Sequence, residues 1–400
     1  MSPRAAAARL AAAVIVMSAA GTAAAAELVA AVLRVETEAP QPLSRLDLPA
    51  EDRGFAGARL ATEDNRTTGG FLGHRYETIE VATPPDFALA ALDDLLEEGV
   101  RFVAAIAGAD DALALADRAA ERGAVILNLS APDDRLRGAD CRANLLHVAP
   151  SRRMLADGLA QYLVWKRWDE WVLVHGSNPA DRAKAEAYRA AARKFGAEIE
   201  DALEYEDPGG ARRSDTGHVL VQRQIPGFMQ QADDHDVVVV ADESERFGVH
   251  LPYRVWDPRP VAGDAGLRAS AWHPAHEGFG ATQLQRRFEA MAGRRMTDLD
   301  SESWTAFRAL GEAVTRTGSA EPDAVMGYLL SDAFELAAFK GLPLSFRPWS
   351  RQLRQGIILG DGRNVVSISP QEQFLHERTR LDTLGVDKGE SACPLGGPER

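Results

Sequence analysis

The sequence predicts an α/β protein with two doubly wound, parallel-sheet lobes joined by a hinge. Apolar runs rich in Val, Ile and Leu recur along the chain, and they are nearly continuous rather than alternating, as in strands buried on both faces. A segment with helical periodicity follows each run, which is the β-α order of doubly wound folds. The chain has 400 residues, which is long for one hydrophobic core and suits two.

The individual elements follow from these patterns. The predicted strands are Leu28–Val35, Arg101–Gly108, Gly123–Ser130, Trp171–Gly176 and His235–Asp242. The predicted helices are Pro85–Glu98, Asp110–Arg122, Ser151–Trp165, Pro179–Phe195 and Thr282–Gly293. Pro179 suits a first helical turn and Gly196 a left-handed C-terminal cap. A final pair of strands, with a hairpin turn at Asp361-Gly362, is predicted within Gln355–Ser369.

The lobes are not continuous in sequence. Between Leu145 and Ser151 a short extended segment leads into a new helix and a second βα series, so we place the first crossing there. The predicted first lobe comprises residues 27–147 and 275–345. The predicted second lobe comprises residues 148–274 and 346–385, and a C-terminal tail covers residues 386–400.

The first 26 residues have the organisation of a secretory signal peptide. Arg4 and Arg9 precede an apolar stretch, Leu10–Met17, and small residues then run to Ala26. The apolar stretch is shorter than the roughly 20 residues that span a bilayer. We therefore expect cleavage near Ala26 and a soluble mature protein in the periplasm.

The charge balance argues against two classes of partner. The chain carries 45 basic and 59 acidic residues, a net charge of −14, and removing residues 1–26, which hold two arginines and no acid, makes it −16. Nucleic acids and anionic membrane surfaces are bound by clustered positive charge. Neither is expected to be the main partner.

The two cysteines, Cys141 and Cys393, form an even count in an oxidising compartment. This predicts a disulfide that ties the C-terminal tail back to the first half of the chain. Two unrelated thiols are the alternative. Their wide separation, without a C-x-x-C pair, argues against a structural zinc site.

Motifs of the common catalytic chemistries are absent from the sequence. The turn His175–Asn178 lacks the glycine spacing of a dinucleotide site, and neither a phosphate-binding G-x-x-x-x-G-K-[ST] nor a G-x-S-x-G elbow occurs. His273 and His276 lie close together, but Pro274 prevents the helical pair of a zinc protease. We predict neither a metal site nor an enzyme.

What remains is a two-lobed protein whose strand-end loops face a cleft. In open α/β sheets, ligands bind beyond the carboxyl ends of the strands. We expect Ser177 and Asn178 to line such a site, where the N–H groups of the following helix are available to an anionic or carbonyl oxygen. The alternative is that Ser177 or Asn178 only caps its own helix.

Two stretches carry a family resemblance. Gly57–Glu77 (GARLATEDNRTTGGFLGHRYE) and Ile126–Asp134 (ILNLSAPDD) resemble the first helix and a ligand-binding strand end of the type I periplasmic solute-binding proteins of ABC transporters, in the branched-chain amino acid receptor lineage. The resemblance covers nearly the whole mature chain. It implies ligand contacts at Ser130 and Gly108, hinge closure around a small-molecule ligand, and docking on a membrane permease. A ligand sensor would use the same fold.

Longer stretches resemble a subgroup found with pyrroloquinoline quinone-dependent alcohol oxidation systems. They are Leu145–Trp168, Leu251–Leu267, Trp272–Phe288 and Phe346–Leu359. The subgroup implies the quinone or an alcohol-derived compound as cargo, while the protein requires no cofactor of its own. The resemblance to amino acid receptors gives Asp242-Glu243, which follow a predicted strand, an alternative role in holding the ammonium group of an amino acid or amide.

Pyrroloquinoline quinone is a flat tricarboxylate, so its site needs arginine forks and an aromatic face. The candidates near predicted strand ends are Arg152, Arg213, Trp272, Trp304 and Trp349. Structural roles are the alternatives: a solvated loop for Arg213, a core position for Trp304 and hinge packing for Trp349.

Overall fold

The computed structural model of this chain describes residues 25–37, 48–206 and 215–396. It confirms the predicted two-lobed α/β fold. The predicted signal peptide lies outside the described residues except for Ala25 and Ala26, and Arg213 lies outside them as well.

The first lobe is built on a five-stranded parallel sheet with the order β2-β1-β3-β4-β5. Its strands are β1 Glu27–Val35, β2 Arg75–Thr83, β3 Phe102–Ile106, β4 Val125–Asn128 and β5 Leu145–His147, and its first three helices are α1 Phe55–Gly69, α2 Ala88–Glu97 and α3 Ala109–Ala120. Val32 and Leu33 are both fully buried, in separate hydrophobic clusters on opposite faces of the sheet. Burial on both faces explains the continuous apolar runs.

The second lobe contains a four-stranded parallel sheet with the order β7-β6-β8-β9. Its strands are β6 Glu170–Gly176, β7 Glu198–Tyr205, β8 Val237–Ala241 and β9 Val261–Gly263, and its helices are α4 Arg152–Trp165, α5 Pro179–Phe195, α6 Asp215–Met229 and α7 Leu251–Arg254. Helix α5 has the predicted bounds, with Asn178 as its N-cap and Gly196 in the left-handed conformation at its end.

An antiparallel sheet, β10-β13-β14, lies between the two lobes. Its strands are β10 Arg268–Ser270, β13 Ile357–Gly360 and β14 Val365–Ser369. Along β13, Ile357 and Leu359 pack into the core of the second lobe and Ile358 packs into that of the first. The turn Asp361–Asn364 between β13 and β14 confirms the predicted hairpin.

The remaining helices return to the first lobe. They are α8 Ala281–Ala292, α9 Asp298–Thr317 and α10 Pro322–Leu329, and a short hairpin follows, formed by β11 Ser345–Phe346 and β12 Leu353–Arg354. Phe346 and Leu353 pack into the core of the first lobe. The lobe boundaries predicted from the sequence stay a prediction, although this packing moves the last crossing towards Ile357.

Short 3-10 turns complete the described chain. They are Gly70–Leu72, Pro85–Phe87, Asp134–Arg137, Gly248–His250, Gly278–Gly280, Glu372–Phe374, Arg380–Thr383, Lys388–Glu390 and Pro394–Gly396. Among the helices of the described ranges, none combines the length and the apolar character that a membrane span requires.

Three chain crossings form the hinge, and side-chain amides bind two of them together. The first crossing joins β5 to α4, the second joins β10 to α8, and the third joins β12 to β13. Gln352 donates to the carbonyls of His147 and Ala149, and Gln355 donates to that of Val148 at 2.7 Å. The first and third crossings are therefore joined by buried hydrogen bonds.

Candidate functional site

The topology of each sheet marks one position for a ligand. The chain leaves β1 for opposite sides of the first sheet, where β2 and β3 are its neighbours, and β6 has the same relation to β7 and β8. Ligands of doubly wound sheets bind beyond the carboxyl ends of strands at such a switch point. By this rule the loops after β1 and β3 in the first lobe, and after β6 and β8 in the second, define the candidate site. We add the loop after β4, because β4 is the neighbour of β3.

An arginine joins the strand-end loops of the two lobes. Arg152, at the first position of α4, donates from Nε and Nη2 to the two carboxylate oxygens of Glu243 at 2.7 and 2.6 Å. Its Nη1 lies 3.1 Å from Oδ1 of Asp133 in the first lobe. We call these three residues the cleft triad. The Arg152 side chain is 8% exposed, whereas those of Asp133 and Glu243 are 29% and 28% exposed.

The cleft triad carries more negative than positive charge. Burial alone would lower the pKa of Arg152, but Glu243 and Asp133 raise it above its ordinary value, so the guanidinium stays charged. Two carboxylates thus share one cation. The sequence predicts that Arg152 binds an anionic ligand. In this structure its N–H groups are already paired with Glu243 and Asp133.

A second ion pair lies beside the cleft triad. Lys184 on α5 binds Oδ1 of Asp264, which follows β9, and the other oxygen of Asp264 accepts from the backbone N–H of Asp242 at 2.8 Å. Burial lowers the pKa of Lys184, but Asp264 more than offsets this effect and raises it. This second cation is also neutralised, and the local balance remains acidic.

Asn178 holds the turn after β6 in place. Its side chain accepts from the N–H of Asp181 and donates to the hydroxyl of Ser244, which follows β8, at 3.0 Å. Asn178 therefore caps α5 and ties two strand ends together. Ser177 beside it is half-buried. A ligand contact at either residue stays a prediction.

Ser130 and Gly108 lie where the resemblance put them, after β4 and β3. The Ser130 hydroxyl accepts from the N–H of Ala107 and donates to its carbonyl, both at 2.9 Å. Gly108 is exposed and is the N-cap of α3. The Ser130 hydroxyl thus joins two strand ends, and Gly108 precedes the first turn of α3.

The three candidate tryptophans pack against protein. Trp272 is 2% exposed in the core of the first lobe and donates to Gln285 at 3.3 Å. Trp304 is buried in the same core and donates to Asp64 at 3.0 Å. Trp349 lies 5.0 Å from the guanidinium carbon of Arg354. Stacking of a ligand on these rings stays a prediction. Trp272 and Trp304 are buried in the core, and Trp349 is half-buried with arginine side chains beside its ring.

Replacing Trp272 with phenylalanine tests whether its ring contacts the ligand. We expect the free energy of unfolding to fall by about 2 kcal/mol, because the change leaves a cavity and removes the bond to Gln285. Ligand affinity should change less than about twofold, since the ring is enclosed by the core. Urea unfolding and calorimetric titration measure the two quantities. A large loss of affinity at unchanged stability would return Trp272 to the ligand site.

Asp242 is enclosed in its own loop rather than offered to a ligand. It is 1% exposed, and its carboxylate accepts from the N–H groups of Arg246, Phe247 and Gly248 at 2.6 to 2.9 Å. Burial raises its pKa to about 6, although these donors act in the opposite direction. The role of holding an ammonium group stays a prediction for Asp242. Its neighbour Glu243 is better placed for it.

The raised pKa of Asp242 makes stability depend on pH. Its ordinary value is 3.8, so between about pH 4 and pH 6 the folded state binds more protons than the unfolded state, and ionisation destabilises the fold. In Asp242→Asn, the unfolding free energy relative to the parent should rise by about 2 kcal/mol from pH 4 to pH 7. Asp332→Asn, at an exposed position, is the control, and urea unfolding at pH 4 and at pH 7 measures the free energy of each variant. A difference that stays constant with pH would contradict the assignment.

Two other sequence predictions concern residues outside the cleft triad. The disulfide between Cys141 and Cys393 is confirmed. His273 and His276 are engaged by the carbonyls of Asp361 and Phe339, at 2.6 and 2.8 Å. Within the described ranges, no group of three or more His, Cys, Asp or Glu side chains is arranged to hold a metal ion.

Asp133, Lys184 and Asp264 were not among the residues predicted from the sequence. Asp133 stands three residues after Ser130, in the strand end that the family resemblance had marked. Asp264 follows a strand of only three residues, too short for a periodicity signal. Lys184 looks like an ordinary polar position of an amphipathic helix, so no sequence signal marked it.

Comparison with known proteins places the chain in a family. A family model described as periplasmic binding protein matches residues 49–357. No curated protein sequence matches the chain. The fold is similar to that of a branched-chain amino acid ABC transporter periplasmic ligand-binding protein from Burkholderia xenovorans, with a TM-score of 0.71 and 16% identity over 92% of this chain and 100% of that one.

Two further solved structures share the fold. One is a leucine-, isoleucine-, valine-, threonine- and alanine-binding protein from Brucella ovis in a closed conformation, with a TM-score of 0.67 and 13% identity over 89% of this chain and 93% of that one. The other is an ABC transporter solute-binding protein from Rhodopseudomonas palustris in complex with 3,4-dihydroxybenzoic acid, with a TM-score of 0.63 and 13% identity over 86% and 97%. By its match over residues 49–357, the chain belongs to the periplasmic binding protein family.

Proposed function

We propose that this protein is an exported receptor that captures one small solute between its lobes and delivers it to an ABC importer. The observation that carries the proposal is the cleft triad, in which Arg152 and Glu243 of the second lobe meet Asp133 of the first at the carboxyl ends of the strands. Charged groups from both lobes thus converge where doubly wound sheets bind ligands.

Capture needs no bond to be made or broken. A solute that contacts both lobes favours the closed arrangement by as much as it binds that arrangement better than the open one. Binding proteins of this kind are not enzymes, and the chain has no sequence motif that suggests otherwise. The closed form would dock on a membrane permease in the periplasm, or on a sensor protein if the receptor serves signalling.

The first candidate solute is an amino acid or a related zwitterion. The cleft triad offers two partly exposed carboxylates, so a ligand ammonium group gains a partner there. A ligand carboxylate would meet the N–H groups of the first turns of α3 or α5. The relatives from Burkholderia xenovorans and Brucella ovis are named for amino acids.

The second candidate is an aromatic acid, including pyrroloquinoline quinone. The sequence stretches shared with quinone-associated proteins favour it, and the relative from Rhodopseudomonas palustris holds an aromatic acid. This candidate ranks second because Arg152 is already paired with Glu243 and Asp133. A tricarboxylate would have to displace at least one of them and to bind among the remaining acids.

A thermal-shift screen separates the two candidates. The panel contains the twenty standard amino acids, 3,4-dihydroxybenzoate and pyrroloquinoline quinone. A specific ligand at 100 times its dissociation constant adds about 2.7 kcal/mol to the free energy of unfolding. We expect that shift from one or a few amino acids. If no panel member shifts the transition and no small molecule is retained after gentle purification, the proposed function is wrong.

A further inference from the structure

A segment that follows β14 runs across the hinge. We call residues 381–393 the C-terminal strap. It makes three groups of contacts, one with the β11–β12 hairpin beside the third crossing, one with the second lobe and one with the segment before β5 in the first lobe. The positions of these contacts indicate that the strap does more than attach the C-terminal tail to the rest of the chain.

The first contact fixes the strap to the β11–β12 hairpin, which leads into the third crossing. Oδ1 of Asp382 accepts from Nε of Arg347 and from Nε of Arg354, both at 2.8 Å. Arg347 also donates to the carbonyl of Leu384 at 2.7 Å. Arg347 is 2% exposed and Asp382 is 4% exposed, so these bonds are shielded from water.

The second contact fixes the strap to the second lobe. Lys194 on α5 donates to the carbonyls of Thr383 and Gly385 at 2.7 and 2.9 Å. Asp157 on α4 accepts from Lys194 and from the N–H of Gly385, both at 2.8 Å. Leu384 is fully buried in the core of that lobe. This end of the strap therefore lies at the hinge, where the second lobe and the β11–β12 hairpin both hold it.

The third contact is covalent and belongs to the first lobe. Cys393 is bonded to Cys141, which stands before β5. The segment around Cys141 is held to its own lobe, since Arg142 pairs with Asp117 on α3 at 2.6 Å and Asn144 donates to the carbonyl of Ala116 at 2.8 Å. The far end of the strap therefore moves with the first lobe.

The part between the anchors is short and largely exposed. From Val386 to Cys393 there are seven chain steps, which reach about 24 Å when fully extended. The turn Lys388–Glu390 shortens this stretch, and all three of its residues are exposed. The strap can thus lengthen slightly if this turn is extended, and the number of its residues sets the largest distance that it can span.

We propose that the C-terminal strap is a stop that limits how far the two lobes open, with the Cys141–Cys393 bond as its closing link. Opening moves the anchor at Gly385 away from that at Cys141 until the turn is drawn out. The inference rests on the proposed function in one respect, because it requires that the lobes move. It adds that the ligand-free state has a bounded opening.

Lengthening the strap while keeping the disulfide provides the decisive variant. Six residues, Gly-Gly-Ser-Gly-Gly-Ser, are inserted between Lys388 and Gly389. A second variant, Cys141→Ser with Cys393→Ser, removes the bond altogether. The same six residues inserted after Gly362, in the exposed turn between β13 and β14, make the matched control. Urea unfolding establishes that each variant is folded.

Small-angle scattering of the ligand-free proteins measures the opening. We expect a larger radius of gyration for the lengthened and the disulfide-free variants, and the parent value for the control. Nearly doubling a seven-step connection lowers the probability that its ends meet by about threefold, so the apparent ligand affinity of the lengthened variant should fall about threefold. Equal radii in parent, lengthened and disulfide-free proteins would overturn the proposal.

The scattering result does not depend on the identity of the solute. If no solute binds but the lengthened variant is more open, the strap proposal stands and the proposed function fails. If a solute binds and the radii do not differ, the reverse holds. A third outcome also contradicts the proposal. In it, the disulfide-free variant loses stability, but the lengthened variant has the radius of gyration and the ligand affinity of the parent. The disulfide would then stabilise the fold without limiting the opening of the lobes.

Discussion

Replacing Glu243 with glutamine is expected to weaken the binding of an amino acid by about 30-fold, or about 2 kcal/mol. The change removes one of the two carboxylates of the cleft triad and leaves Arg152 with Asp133 alone. A ligand ammonium group would then meet a neutral amide and a guanidinium that is only partly compensated. Isothermal titration with the best amino acid of the panel measures the loss.

The same variant gives the opposite sign for an acidic ligand. Without the Glu243 carboxylate, Nε and Nη2 of Arg152 lose their charged partner. The binding of 3,4-dihydroxybenzoate or pyrroloquinoline quinone should therefore become stronger, so one substitution discriminates between the two candidates. Glu245→Gln is the matched control, because Glu245 is exposed on the same loop, two residues further along. Equal affinities for parent and Glu243→Gln, with either class of ligand, would remove the cleft triad from the binding site.

Replacing Asp382 with asparagine is expected to lower the free energy of unfolding by about 3–5 kcal/mol. Asp382 is the shared counter-charge of Arg347 and Arg354, which are both buried, so the variant leaves two guanidinium groups without a carboxylate. Urea unfolding at neutral pH measures the change. Glu390→Gln, on the exposed part of the same strap, is the control and should stay within about 0.5 kcal/mol of the parent.

The pH dependence of this contribution has a definite sign. Burial opposes ionisation of Asp382, but Arg354 and Arg347 together hold its pKa below the ordinary 3.8. The stabilisation is therefore complete above about pH 4 and is lost as the pH falls through the lowered value. A loss smaller than about 1 kcal/mol at neutral pH would show that other groups compensate the two arginines.

Much of the fold could be predicted because local signals and tertiary packing agree. Helix α5 begins at a proline after an Asn cap and ends at a left-handed glycine, so its bounds are fixed by neighbours in sequence. The strands buried on both faces have no polar alternation, which identifies the parallel sheets. The disulfide followed from an even count of two cysteines.

The candidate site could be predicted only as a set of loops. Glu243 lies 91 residues from Arg152, and nothing near either residue in the sequence indicates that they pair. The sequence showed an arginine at a strand end but not that two acids had already neutralised it. The sequence also did not indicate that Trp272 packs into the first-lobe core beside Gln285, because the direction of a side chain at a lobe crossing depends on tertiary packing.

A crystal structure of the protein with the solute retained through gentle purification, or with the best ligand of the panel, tests the central claim most directly. The account predicts one solute molecule between the lobes, in contact with Glu243 or Arg152 and with at least one loop of the first lobe. Density for the solute outside the cleft, or within one lobe only and away from the cleft triad, would contradict it.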